Sequence, residues 1–276
     1  MRCNLPPPEN PGREKAAEAR LARMLRKRIR IDEQRLHGAV FKIADRIEEL
    51  AGACRLVYDA YVRKGYMDPA PSGMRVTEFT LSPHTTTFIG RQNGDIISTI
   101  SLYGDSKAGL AMDAIYRNEL DALREQGRKI AEVGSLAASP DNWNGKPDAT
   151  FHMFKIMLNY AMGHLNLDDL VIAVNPRQKN FYVWALLFDE IGELKSYDYV
   201  KSNPAVAMRM PLEHCQARHH EVYTNRSPEN NLHHFLFERQ SPLIQLPDEK
   251  KPYTVMTPQK ADQFCKRYGI GDNPGK

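Results

Sequence analysis

The chain has 276 residues, 42% hydrophobic and 26% charged, which suits one large globular domain with appendages or two small ones. With 17 Gly, 18 Pro, no sustained heptad and no apolar run near the ~18 residues of a membrane span, collagen-like, disordered, coiled-coil and helical membrane classes are excluded. The net charge of +4 is local. Eight of the 38 basic and two of the 34 acidic residues lie between Arg13 and Arg30, leaving 30 against 32 elsewhere, so nucleic acid is not expected as a partner.

The start, MRCNLPPPENPG, has prolines where a signal peptide needs an apolar stretch. Four widely spaced cysteines (Cys3, Cys54, Cys215, Cys265) lack CxxC or framework spacing and read as reduced thiols of a cytoplasmic protein. Residues 1–35 form a first region, a Pro-rich tail followed by a basic amphipathic helix. In it Ala17, Leu21, Met24, Leu25 and Ile29 recur at helical spacing, with Arg20, Arg23, Lys27 and Arg30 on other faces. Two readings stay open: a solvated helix packing one stripe on the body, or a surface attracted to an acidic partner or a membrane.

Residues 36–212 read as the main body. A strand near Val40–Ala44 precedes an amphipathic helix from Asp45 to Tyr66. Met74–Leu81, Thr85–Gly90 and Ile96–Tyr103 read as β-rich, with Asn93-Gly94 as a hairpin signal because both residues tolerate positive φ. A helix follows over Met112–Gln126, then a strand over Arg128–Ala137. A polar loop at Ser139–Asp148 leads to a helix over Ala149–Leu165, a buried strand at Leu170–Val174, and a helix near Gln178–Phe188. Glu193–Val200 and Ala205–Pro211 read as strands around an Asn203-Pro204 turn. Residues 213–276 form a C-terminal extension of weaker pattern, with a short helix after Thr257-Pro258 that stops at Gly269. The whole is an α+β chain with a mostly antiparallel sheet and one central helix–strand–helix unit.

That element order resembles the GNAT-like acyl-N-acyltransferase architecture. The run GLAMDAIYRNELDALREQGRKIAEVGSLAASP (Gly109–Pro140) is more specific: it resembles the signature of GNAT-related long-chain N-acyl amino acid synthases. LVYDAYVRKGYM (Leu56–Met67), SPHTTTF (Ser82–Phe88) and NFYVWALLFDEIGELKSYD (Asn180–Asp198) agree in order and spacing, so the resemblance covers about residues 40–212. Acyl-homoserine lactone synthases are also similar.

The resemblance implies transfer of a fatty acyl group from an acyl carrier protein thioester to the α-amine of an amino acid. Such a reaction needs a base for the ammonium, a donor for the tetrahedral oxyanion and an acid for the departing thiolate. Glu132, on the strand that lines the acyl-transfer site in this architecture, is the expected base. By its residues alone, it reads as a carboxylate on the solvent face of the sheet, paired with Arg128 or Lys129, and the resemblance turns the reading toward the base. Ser135 is expected to orient substrate or water, and Gly134 to let the strand splay or a ligand approach. The backbone around Ser135, Leu136 and Ala137 is the expected oxyanion donor. Tyr182 reads either as the acid for the leaving thiol or as a core aromatic beside Phe181 and Trp184. Phe154, Met157 and Leu158 would wall an acyl-chain tunnel, though Met and Phe at helical spacing also suit plain core.

CoA-using relatives carry a Gly-rich pyrophosphate loop after the key strand. Here that place holds SPDNWNGKPDAT, with a single glycine, which favours an acidic carrier protein as donor over CoA. Lys146, Lys155, Arg177, Lys179 and the N-terminal arm are the candidate docking cations. His214, Cys215, His219, His220, His233 and His234 show no zinc spacing, so no metal is expected. No P-loop, GxSxG or dinucleotide motif occurs, so no cofactor is expected beyond the acyl thioester co-substrate. The competing readings are a homoserine-lactone-synthase-like or other GNAT N-acyltransferase, and a non-catalytic module that holds an acyl chain or carrier protein.

Overall fold

A computed structural model describes residues 11–140, 148–247 and 256–270, with side chains from residue 15 on. The helices are α1 (Pro11–Arg28), α2 (Ile47–Arg63), α3 (Asp113–Glu125), α4 (Asp148–Gly163), α5 (Lys179–Trp184), α6 (Leu212–Tyr223) and α7 (Pro258–Tyr268). The strands are β1 (Val40–Ile43), β2 (Thr85–Gln92), β3 (Asp95–Gly104), β4 (Ile130–Ala138), β5 (Asp169–Val174), β6 (Asp189–Glu190), β7 (Lys195–Tyr197), β8 (Asn203–Pro211) and β9 (Ile244–Gln245). They form one sheet in the order β6-β8-β5-β4-β3-β2-β1-β9, with β7 pairing β8 as well. Only β1–β9 and β4–β5 run parallel. This is the α+β, GNAT-like acyltransferase fold that the resemblance implies.

Local chemistry sets the hairpins. Asn93 and Gly94 take φ of 52° and 95°, the left-handed pair that a two-residue β2–β3 turn requires. The later hairpin turns at Lys201-Ser202, both with φ near 55°, and not at the expected Asn203-Pro204. Asn203 and Pro204 instead pair with Tyr197 and Ser196 inside the ladder. Thr257 caps α7 by accepting from the Lys260 N–H, and Gly269 ends it at φ 64°.

Two further expectations are corrected. Met74–Leu81 forms no strand, because the Thr77 and Thr80 hydroxyls and backbone bond to one another and close local turns. Its apolar spacing comes from Met74 and Val76 burying against α2 beside Phe264. The helix expected to reach Phe188 stops at Trp184, and Leu187 at φ 62° turns the chain into β6.

The main core lies between the sheet and α4, with Phe151, Phe154, Ile156, Met157 and Tyr160 fully buried. Ile29 and Ile31 from the N-terminal region and Leu232, Phe235 and Leu236 from the C-terminal region belong to the same core. Glu33 stitches these segments together: it bonds His152 at 3.0 Å and Ser241 at 3.0 Å, and pairs with Arg239. On α1, Ala22 buries and Leu25 packs on the core, as does Ile29 just beyond the helix, while Leu21 and Met24 point to solvent, 51% and 46% exposed. The expected apolar stripe is therefore divided between body and solvent. Arg26 Nε fixes the helix by donating to the Trp184 carbonyl at 2.6 Å.

One feature of the sheet makes room for a site. The parallel β4–β5 pairing covers only Ile130–Glu132 against Asp169–Val171. Buried Asp169 anchors that end, pairing with Arg128 and accepting from Arg209 Nε at 2.7 Å. Both strands run on beyond Glu132 and Val171 without pairing each other, so a wedge opens between them.

Candidate active site

The wedge is the inner part of a cavity of about 690 Å³, within the ~300–1,000 Å³ typical of small-molecule sites. Residues 132–138 of β4 and 172–174 of β5 line it. β4 is bulged there. Ser101 pairs with Gly134 and Thr99 with Ala137, so Ser135 and Leu136 together oppose Ile100. Ser135 takes φ 49°, a left-handed conformation uncommon for a non-glycine residue. A bulge leaves a peptide out of the ladder, which puts spare backbone polar groups where the wedge opens.

Glu132 stands at the last paired position and is 5% exposed. Its Oε2 accepts a hydrogen bond from the Met112 N–H at 2.9 Å. The turn before α3 aims that N–H: Asp113 accepts from the Leu110 N–H at 2.7 Å and is clamped by Arg124. Gly109, at φ 78°, is needed there, because a Cβ would lie 2.6 Å from the Asp113 carboxylate. The GLAMD run is thus the cradle of Glu132. Burial pushes the Glu132 carboxyl up to about 8; the Met112 and Ala111 N–H groups oppose the shift and nearby Asp113 adds to it. The alternative pairing with Arg128 does not occur, since that guanidinium binds Asp169.

Ser135 and Tyr103 share a hydroxyl–hydroxyl hydrogen bond of 2.6 Å. Tyr103 sits directly across from Glu132 in the β3–β4 register and burial pushes its phenol well up, so it remains protonated. Gly134 makes the approach: a Cβ there would be 2.3 Å from the Tyr103 ring. Tyr182, on α5, lines the cavity and is 5% exposed. Its ring meets Phe154, Phe181 and Phe188 edge-on, and burial holds its phenol well above the usual range. Leu136 and Ala137 also line the cavity.

Other expected residues lie elsewhere. Phe154, Met157 and Leu158 are packed in the main core and do not line this cavity; their helical spacing reports contact with the sheet. Lys155 is buried and cannot dock a partner. Its Nζ donates to the carbonyls of Phe235, Leu236 and Arg239, and burial lowers its ammonium to about 8, with Arg239 adding to the effect. Lys179 pairs with Glu190. Lys146 lies outside the described residues. Arg177 is exposed on the cavity rim, where Arg63, the last residue of α2, and Lys64, its C-cap, join it. Those two, with Arg75, Tyr61, Tyr103, Tyr197 and Tyr199, escaped the sequence reading. Of these, only Tyr103 carried a signal, because pairing β3 with β4 would have set it opposite Glu132.

The histidine-rich segment is structural in its contacts. His219 is buried, its Nδ1 2.7 Å from the Cys215 carbonyl and its ring stacked on Tyr223. No group of three potential metal ligands occurs among the described residues. No helix among them is long and apolar enough to cross a membrane.

The model of the N-acyl amino acid synthase FeeM family matches residues 52–211. Among solved structures, FeeM itself, an N-acyl amino acid synthase from uncultured soil microbes, is 31% identical, with a TM-score of 0.58 over 65% of this chain and 93% of its own. The CoA-dependent acyl-homoserine lactone synthase BjaI has a TM-score of 0.55 at 12% identity, over 82% of this chain and 100% of its own. That second likeness is one of fold alone. No curated protein matches the sequence significantly.

Proposed function

Because the chain belongs to the N-acyl amino acid synthase FeeM family, we propose that this N-acyltransferase moves a long-chain acyl group from an acyl carrier protein thioester to the α-amine of an amino acid. One observation carries the reading: a buried carboxylate, Glu132, held by a backbone N–H at the mouth of the β4–β5 wedge, beside a bulge with spare peptide groups.

In this mechanism Glu132 takes a proton from the acceptor's ammonium. A carboxyl near 8 suits the task, since a base is most effective when its pKa lies near the working pH. The freed amine attacks the thioester carbonyl, and the tetrahedral oxyanion is met by an N–H of the Ser135–Ala137 bulge. Collapse breaks the C–S bond as the thiolate takes the proton of Tyr182, whose phenol burial keeps protonated until then. The nitrogen gives its surplus proton back to the phenolate, which leaves a neutral amide and a free thiol. The Tyr103–Ser135 pair holds the bulge in shape and is a further proton donor in reach of the wedge.

The acyl chain would occupy the cavity between β4, β5 and α5, walled by Leu136, Ile172 and Phe181. Burying each CH₂ contributes about 0.8 kcal/mol, so long chains are favoured over acetyl. Arg177, Arg63 and Lys64 form a basic rim for the acidic carrier protein, in the cytoplasm where such thioesters are made. The outward face of α1, with Leu21 and Met24 beside Arg20, Arg23 and Lys27, supplies a second basic surface for the carrier or an anionic membrane. The test is to incubate the purified protein with acyl carrier protein thioesters of graded length and a mixture of amino acids, then identify products by mass spectrometry. N-acyl amino acids with long chains are the expected products. Absence of any amide product, or equal use of acetyl and palmitoyl donors, would overturn the reading.

A further inference from the structure

The cavity is lined by four cations and one carboxylate, and their exposure divides them. Arg63, Lys64 and Arg177 are exposed at the rim, whereas Arg75 and Glu132 are not. Arg75 is therefore the interior cation of the pocket among the described residues.

Its surroundings are unusual for a half-buried arginine. Arg124 binds Asp105, Asp113 and Asp121, and Arg128 and Arg209 share Asp169. Arg75 has no ion-pair partner among the described residues. Its Nη2 makes one hydrogen bond, 3.3 Å to the Tyr199 carbonyl. The guanidinium lies 4.8 Å from the centre of the Tyr61 ring and 5.8 Å from that of Tyr199. The Arg75 N–H donates to the Cys54 carbonyl at 3.1 Å, which ties its backbone to α2. A guanidinium carries five N–H donors in a fixed fork, so most of them find no partner among the described residues. Held against tyrosine faces, that fork is already oriented for a planar, doubly accepting anion.

The position relative to Glu132 supplies the second half of the argument. Burial raises the Tyr197 phenol, the Glu132 charge adds to that, and the Arg75 charge opposes it. Tyr103, Tyr197 and Tyr199 all feel both charges, so the two sites flank one set of phenols in one cavity. A pocket with an inner carboxylate and an inner guanidinium matches a zwitterion.

We propose that Arg75 is the residue that binds the acceptor's carboxylate, holding the amino acid with its amine toward Glu132 and its carboxylate on the Arg75 guanidinium. This rests on the acyl-transfer reading above. It adds a reason for excluding simple amines and amino acid amides, which would leave the guanidinium unpaired.

The experiment has a turnover arm and a binding arm. In the first, the acceptor preferred by the wild type is compared with its carboxamide and its decarboxylated amine. We expect the free acid to be preferred at least tenfold in kcat/KM. Arg75→Gln should erase that preference by raising KM for the acid, with KM for the acyl donor unchanged. Arg75→Lys, which keeps the charge and loses the fork, should fall between. Equal use of acid and carboxamide by the wild type, or a preference that survives in Arg75→Gln, would overturn the proposal. So would a raised donor KM in the variant with acceptor preference intact.

In the binding arm, N-dodecanoyl amino acids and their carboxamides are titrated against tyrosine fluorescence, with melting curves to check that each variant folds. Tighter binding of the acids by the wild type, lost in Arg75→Gln and weakened in Arg75→Lys, supports the assignment even if no turnover is found, and either variant that folds suffices to read it. Equal binding of acid and carboxamide by the wild type contradicts it. Failure of the turnover arm with success of the binding arm would thus discard the acyl-transfer reading while keeping Arg75 as an anion site.

Discussion

Tyr103 and Glu132 oppose each other across the β3–β4 ladder, and the Tyr103 hydroxyl reaches past Gly134 to Ser135 at 2.6 Å. The contact joins the proposed base, the bulge and a protonated phenol in one unit. It depends on the missing side chain at residue 134, where a methyl would sit 2.3 Å from the ring. We expect Gly134→Ala to displace the ring and lower acyl transfer at least about tenfold, since misplacing a reacting group by ~1 Å costs roughly 10²-fold. Far-UV circular dichroism should stay near wild type. Wild-type activity with the fold intact would show that the bulge shape is irrelevant to catalysis.

Lys155 should matter for stability and not for carrier docking. Its ammonium satisfies three carbonyls around the turn at His234–Glu238. Lys155→Met keeps the stem and removes the donor, leaving buried carbonyls unpaired at a cost of about 1–3 kcal/mol. Urea titration should show that loss while KM for carrier protein stays put. A raised KM without loss of stability would restore the docking role expected from the sequence.

Carrier docking is assigned to the rim. Arg177 is exposed and lines the cavity mouth, while Lys179 is already paired with Glu190. Arg177→Glu should raise KM for acyl carrier protein several-fold, and Lys179→Glu less. The preference for carrier protein over acyl-CoA should shrink with salt, because the Debye length falls from ~10 Å at 0.1 M to ~3 Å at 1 M. Salt-independent rates and equal use of acyl-CoA would remove the carrier protein from the account.

The buried carboxyl at Glu132 also has a cost to stability, and its sign follows from the direction of the shift. Its folded pKa is raised from 4.5 to about 8, so the fold favours the protonated form. That contribution is full below the unfolded pKa and is lost as pH rises through about 8. Asp113 pushes the same way, and the Met112 and Ala111 N–H groups push back. Glu132→Gln, which cannot ionise, should therefore gain melting temperature over the wild type as pH rises from about 5 to about 9. A constant difference over that range would mean that Glu132 does not titrate there.

Much of the fold was legible because its signals are local. Asn93-Gly94 can form only a tight left-handed turn, and Thr257 with Gly269 brackets a helix by its own hydrogen bonds. The GLAMD run pointed to Glu132 because the resemblance is carried by the residues that cradle it. What was not legible depends on distant partners. Lys155 looks like any surface lysine until carbonyls about 80 residues away close over it. Phe154 and Met157 keep the same helical spacing whether they face a tunnel or a sheet, and here they face the core. Arg75 sits in a stretch that alternates like a strand yet forms turns, so neither pattern nor composition marks its place in the cavity.

The central claim is that Glu132 takes the acceptor's proton, and single-turnover acyl transfer from a loaded carrier protein measures it most directly. The wild-type rate should rise with pH through an inflection near 8, where the carboxyl ionises. Glu132→Gln should be slower at least about tenfold, the conservative end of the ~10²–10⁴ that a positioned base contributes. It should also lack that inflection, retaining only the rise that follows the amine's own ionisation. A variant with the wild-type rate and the wild-type inflection would contradict the account, because the proton would then be leaving by another route.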